Sequence, residues 1–326
     1  LVWTKSRNTG FNIVRDSVRG STYRLISDDT YAELSEANYG TFSSNGFNLG
    51  PEVNANSTGV NYVAWCWKAG GNNNTFNING IGYGTYNELQ TTNTSLPASS
   101  TSGMIVPSGM SINTDAGFSI VKYIGTGSTG GIVPHGLNKK PDMVIIKNLD
   151  DGTKSWNVTS FITTPSTVLT ADTFNIGSKT GGVLGLNYGS GGGAYTIDGQ
   201  TSGSGQNHIA YCWHSIPGYS AFGSYEGNQN ANGPFVYTGF RPAFVLTKTI
   251  DFTENWTISD SARSPNNPVD LFLRPDESTS DSSSAATMDF LSNGFKLRTA
   301  DTKTNVSSTI IYAAFAEQPF TKTTAR

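Results

Sequence analysis

Apolar residues in this chain come in short runs rather than along helical stripes. Met143 to Ile146, Phe244 to Leu246, Val63 to Trp67, Ile209 to Trp213 and Ile310 to Phe315 are β-branched or aromatic, and Gly, Asn or Pro bounds each run. Such runs predict strands. Several are apolar at consecutive positions, as a strand requires when both of its faces are covered. Spacings of three and four are almost absent, apart from a weak run at Thr30 to Asn38, so little helix is expected. Many short strands with frequent turn signals predict an all-β fold of antiparallel sandwich type, jelly-roll or lectin-like.

The same runs recur in order. Lys140 to Lys147 matches Arg241 to Lys248, and the Cys212 strand matches Ile310 to Phe315; the step is 101 residues from Lys147 to Lys248 and 102 from Trp213 to Phe315. Leu1 to Lys5 fits the template from its middle onward. Phe42 to Leu49 echoes Phe290 to Leu297, and Arg15 to Arg19 echoes Ser259 to Arg263. The chain therefore reads as three related tandem repeats, 1–116, 117–217 and 218–326. The first lacks an opening strand, which residues upstream of Leu1 or another part of an assembly would supply. Residues 72–116, rich in Asn, Gly, Thr and Ser, are expected to form an ordered excursion with one or two short strands near Phe76 to Tyr86, burying Ile81, Tyr83 and Tyr86.

Composition narrows the chemistry. Charged residues are 14% of the 326, against about 25% in an average soluble protein, and Ser, Thr, Asn and Gly fill the polar positions instead. The net charge is −3 and the basic residues are scattered, which argues against nucleic acid as a partner. No apolar run approaches the roughly 20 residues that cross a bilayer as a helix, so no membrane insertion is expected. Cys66 and Cys212 lie at matching places in different repeats. Both are expected to be free and buried, because equivalent positions in separate cores stand too far apart to bridge.

Few motifs carry reactive chemistry. Gly125 to Gly130 has dinucleotide-loop spacing, but no helix pattern follows to hold a pyrophosphate. His135, His208 and His214 have no acidic or Cys partner at zinc-ligand spacing. No catalytic residue, cofactor site or metal site is assigned. Asp16 with Arg19 and Asp260 with Arg263 read as structural ion pairs, a device the middle repeat lacks. Trp67, Trp213 and Phe315 align with one another, as do Trp156 and Trp256, so these five are assigned to the core. The aromatics of the loops, Tyr23, Tyr31, Tyr39, Tyr83, Tyr86, Tyr188 and Tyr195, are the candidates for stacking on sugar rings.

The ordered set GFSIVKYIGTG (117–127), HGLNKKPDMVIIK (135–147), DSVRG (16–20), FSSNGFNLG (42–50) and YVAWCWKAGG (62–71) resembles the repeated β-domain of tail-fibre-like virion proteins of marine tailed bacteriophages. That resemblance implies a virion-surface, extracellular, non-enzymatic structural protein. It would be a tail fibre, spike or appendage subunit contacting host-surface polysaccharide. By analogy it implies a homo-oligomer, a trimer, bound to other virion proteins. A capsid decoration or filament subunit is the alternative, and a glycan-cleaving enzyme a remote one.

Overall fold

The computed structural model describes residues 1–93, 95–127, 131–160, 173–175, 183–185, 201–252, 254–283 and 287–318. Three principal sheets carry the chain. In the first, β1 (Val2–Ser6), β2 (Asn12–Arg15), β3 (Tyr23–Ile26) and β4 (Tyr62–Cys66) lie in the order β3-β2-β1-β4, with Leu34–Ser35 beyond β3. The second contains β5 (Phe76–Ile78), β6 (Gly109–Asn113), β7 (Phe118–Ile124), β8 (Met143–Asn148), β9 (Asn157–Ser160), β10 (Val183–Gly185) and β11 (Asn207–Trp213). Their order is β10-β9-β8-β11-β7-β6-β5, closed by Ile81–Tyr83. The third places β12 (Ser220–Glu226) outside the strand Thr309–Ala316. A separate three-stranded sheet is built from β13 (Phe235–Tyr237) and two later strands. With β14 (Pro242–Thr249), β15 (Thr257–Asp260), β16 (Phe272–Leu273), β17 (Met288–Leu291), β18 (Gly294–Leu297) and β19 (Thr309–Ala316) defined, the orders are β12-β19-β14-β15-β16 and β13-β18-β17. The fold is all-β, and among the described residues the strand pairs are antiparallel except β5 with β6.

The consecutive apolar positions are explained by two-sided burial. In β8, Met143 and Ile145 join a central core while Val144 and Ile146 join an outer one; in β19, Ile311 and Ala313 point to the centre and Ile310, Tyr312 and Ala314 outward. The central core draws on all three sheets at once. Trp3, Trp65 and Trp67 come from the first, Trp156, Tyr211 and Trp213 from the second, and Phe244, Trp256 and Ile258 from the third. Rings meet there edge to face, Trp67 to Trp213 at 6.2 Å and Trp67 to Phe315 at 5.5 Å, an arrangement aromatic quadrupoles favour.

The strand registers agree among the sheets. Lys5 stands opposite Val63, Lys147 opposite Ile209 and Lys248 opposite Ile311. All three lysines are buried and give their ammonium groups to backbone carbonyls, Lys147 to Asn148 O and Lys248 to Thr249 O at 2.7 Å each, Lys5 to Gly10 O. Burial pushes each ammonium down to about 8.

Equivalent register positions make equivalent contacts between sheets. The second sheet donates to the first, Tyr211 OH to Asp16 Oδ2 at 2.7 Å and Trp156 Nε1 to Ile26 O at 2.8 Å. The first donates to the third from the same register positions, Trp65 Nε1 to Asp260 Oδ2 at 3.3 Å and Asn12 Nδ2 to Arg274 O at 3.3 Å. At the register that would carry the aspartate contact from third to second, Ala313 replaces Tyr211 and Trp65, and Ser160 replaces the aspartates. Neither residue type of the pair is retained.

Several expectations need correction. The segment 72–116, grouped with the first repeat as an ordered excursion, does carry short strands where they were expected, Phe76–Ile78 and Ile81–Tyr83, but these and β6 belong to the second sheet, with β6 paired to β7. A seven-residue helix, Tyr86–Thr92, lies between Ile81–Tyr83 and β6, its N-terminus capped by the Thr85 side chain. This segment buries Phe76, Tyr86 and Leu89, whereas Ile81 is 59% exposed. Cys66 is exposed, although Cys212 is fully buried. Both thiols are free, but not because equivalent positions stand far apart. Positions equivalent between sheets do meet at the centre, as Trp67 and Trp213 do, but the two cysteines point away from it.

Candidate functional site

The two buried ion pairs are closed to ligands. Asp16 and Arg19 pair at 2.5 Å with both side chains inaccessible, and Asp260 pairs with Arg263 at 2.6 Å. Each aspartate also caps its own turn, accepting the backbone N–H three residues on, and each arginine returns to a carbonyl of its own sheet, Val14 O or Ile258 O. Burial would raise the Asp16 carboxyl, but the Arg19 guanidinium and three hydrogen bonds hold it below the usual range. These pairs brace turns and join sheets.

The candidate tyrosines separate. Tyr23, at the start of β3, and Tyr31, in the loop after it, are 37% and 48% exposed, and Tyr83 is half-buried. Tyr39 and Tyr86 are buried and unavailable for stacking. Tyr39 lies beneath two cations, Arg24 at 5.1 Å and Arg15 at 5.7 Å from its ring centre, and Arg15 also faces Phe42 and Phe47. Cation–ring attraction at a desolvated site holds that loop down. Tyr86 packs on Phe76 and donates its hydroxyl to Pro97 O at 2.6 Å. Tyr188 and Tyr195 lie outside the described residues. The five assigned core aromatics are placed inside: Trp67, Trp213, Trp156 and Trp256 are buried and Phe315 packs against the central core.

Among the described residues, two open features bear on ligand contact. One is a cleft of about 220 Å³ lined by Lys68, Gly70, Asn79, Gly80, Asn113 and Asp115. Its wall is set by Asn79, which bonds Thr114 through both ends of its amide, and by Asn113, which donates to Lys68 O at 3.0 Å. It offers amides, one ammonium and one carboxylate, and its lining contains no aromatic ring.

The other is the outer face of the sheet β13-β18-β17. Val236, Phe295 and Phe290 turn inward, so Phe235 and Tyr237 turn outward, 44% and 67% exposed. A Cβ at Gly294 would stand 2.1 Å from Val236 O and 3.0 Å from Phe235 Cζ. Glycine there lets the edge strand close and the Phe235 ring approach β18. Lys296 stands opposite both Phe235 and Asp289, and Arg298 pairs with Asp289 at 2.6 Å. Two ring faces beside an ion pair can stack on the C–H face of a sugar and hydrogen-bond its hydroxyls. Sequence reasoning passed over this pair; the signal was Phe-Val-Tyr, a period of two with the aromatics on the side opposite the lone valine. Among the described residues, no group of three His, Cys, Asp or Glu side chains is arranged to hold a metal ion.

The fold and these surfaces can be set beside known proteins. The chain belongs to the DUF7483 family, a domain of unknown function, which it matches over residues 1–319. That match runs through all three sheets without a break, in keeping with their shared core. Comparison with curated proteins and with solved structures gives no match.

Proposed function

We propose that this chain is a non-enzymatic structural protein of a phage virion, a tail-fibre, spike or appendage subunit displayed at the surface and contacting host glycan. The exposed Phe235 and Tyr237 pair carries the glycan part of the reading, since ring faces flanked by Asp289, Arg298 and Lys296 suit a neutral or weakly charged saccharide. We read the architecture as three copies of one sandwich-like unit gathered about a common centre. The matching registers of Lys5, Lys147 and Lys248 support this. Homo-oligomerisation, as a trimer by analogy, would multiply weak contacts into useful avidity.

Glycan-array binding of the purified chain tests the proposal. Binding is expected to survive chelation, to weaken with free sugar, and to fall about tenfold in Tyr237→Ala, the loss of one stacking contact of roughly 1–1.5 kcal/mol. An array without binding to any host polysaccharide would count against receptor contact, and hydrolysis of one would overturn the non-enzyme reading.

A further inference from the structure

The last strands of the three sheets differ in one respect. β11 lies between β8 and β7, and β19 between β14 and β12, whereas β4 pairs with β1 and, among the described residues, with no strand on its other side. The ladder determines which backbone groups are left over. Leu1 and Trp67 exchange both of their bonds, each 2.9 Å. By the alternation of antiparallel pairs, Val63 and Trp65 then turn their N–H and C=O toward β1, and Ala64 and Cys66 turn theirs away. At the same register elsewhere, Ala210 and Cys212 stand opposite Val121 and Ser119 of β7, and Tyr312 and Ala314 opposite Gly223 and Ala221 of β12. Those four residues are buried, while Ala64 and Cys66 are exposed.

We propose that the β4 edge accepts an extended peptide segment, added antiparallel as β7 adds to β11 and β12 to β19. The other two sheets specify the occupant's chemistry. It places an apolar side chain opposite Trp65, as Ile120 and Phe222 stand opposite Tyr211 and Ala313, and small or β-branched residues opposite Ala64 and Cys66. Its inward residues complete the central core beside Trp67, as Phe118 does by stacking on Trp213 at 4.9 Å. An unpaired edge is a ready template for such addition. This inference does not depend on glycan contact.

Cys66 is a built-in reporter. The probe is a synthetic peptide with the sequence of Gly117–Ile124, and the readout is maleimide labelling of the folded chain near pH 8, where thiols begin to ionise. Cys66 is expected to label and Cys212 to stay closed, with saturating peptide slowing Cys66 labelling by about tenfold or more and a scrambled peptide leaving it unchanged. N-methylation of the peptide valine opposite Ala64 should abolish protection without altering the protein. Ala64→Pro should do the same, because the lost N–H faces away from β1. The inference fails if Cys66 is unreactive in the free chain, if the peptide gives no protection, or if the N-methylated peptide protects equally. A dimer that pairs β4 with β4 and resists the peptide would also overturn it.

Discussion

Cys66 and Cys212 occupy the same place in two sheets, opposite Val2 and Val144, within the similar segments Tyr-Val-Ala-Trp-Cys-Trp and His-Ile-Ala-Tyr-Cys-Trp. One is exposed and the other inaccessible, its thiol pushed up to about 12 by burial. Local sequence does not separate them. The second sheet has β7 against the edge of β11, β6 paired beyond β7, and the segment around Leu89 over its outer face; at the edge of β4 the first sheet has neither. Burial at a strand position is conferred by the next strand and the next layer, so equivalent residues can face opposite solvents. Toward the centre the two sheets remain alike, since Trp65 and Tyr211 each meet an aspartate of a neighbouring sheet.

The inner likeness can be broken with the largest effect. Asp16→Ala should cost about 3–5 kcal/mol in urea unfolding, because it strands the buried Arg19 charge, and Asp260→Ala should cost a similar amount through Arg263. A large inequality would mean that the two braces are not equivalent. Next is the thiol pair. Cys212→Ser places a hydroxyl in an apolar layer and should destabilise by about 1–3 kcal/mol, whereas Cys66→Ser should stay within about 0.5 kcal/mol. Comparable losses from both would show that the outer face of β4 is covered.

A pH titration sharpens the comparison of the first and third sheets by a smaller amount. Asp276 is half-buried, with Oδ1 inaccessible and unpartnered and Oδ2 accepting from Asn255 Nδ2 and the Trp256 N–H at 3.2 Å each, and burial pushes its carboxyl up to about 7; the Asp28 carboxyl, raised by the same cause, accepts the Asn12 N–H at the shorter 2.7 Å. A carboxyl that keeps its proton in the folded state up to about 7 but loses it near 4 when unfolded adds stability at low pH. That contribution is lost as pH rises through this window. Asp276→Asn should therefore flatten the fall in stability between about pH 4 and 7, leaving the variant more stable than the parent at about pH 8 by on the order of 1 kcal/mol. Thermal melts across that range provide the measurement; an unchanged slope would remove Asp276 as its source.

Much of the strand set could be read directly. Met143 to Ile146 and Ile310 to Phe315 announced doubly covered strands, and the spacing of Lys147 and Lys248 anticipated a common register. Asp16 and Arg19 were recognisable as a brace because the side chains are three residues apart in one turn. The candidate surface was less legible. Tyr39 and Tyr86 looked like loop aromatics, and their burial depends on Arg15, Arg24 and Phe76, partners brought by tertiary packing. Phe235 and Tyr237 went unmarked because an alternating strand does not declare which of its faces meets water.

What the sequence determined alone was local and periodic: which segments extend, which residues alternate, and which positions recur from unit to unit. The tertiary structure decided the rest, because burial and pairing are properties of two segments at once. It gathered Trp67, Trp213 and Phe315 from three sheets into one interior, carried the strands of residues 72–116 over to the second sheet, and left the edge of β4 open where a second neighbour would satisfy its backbone.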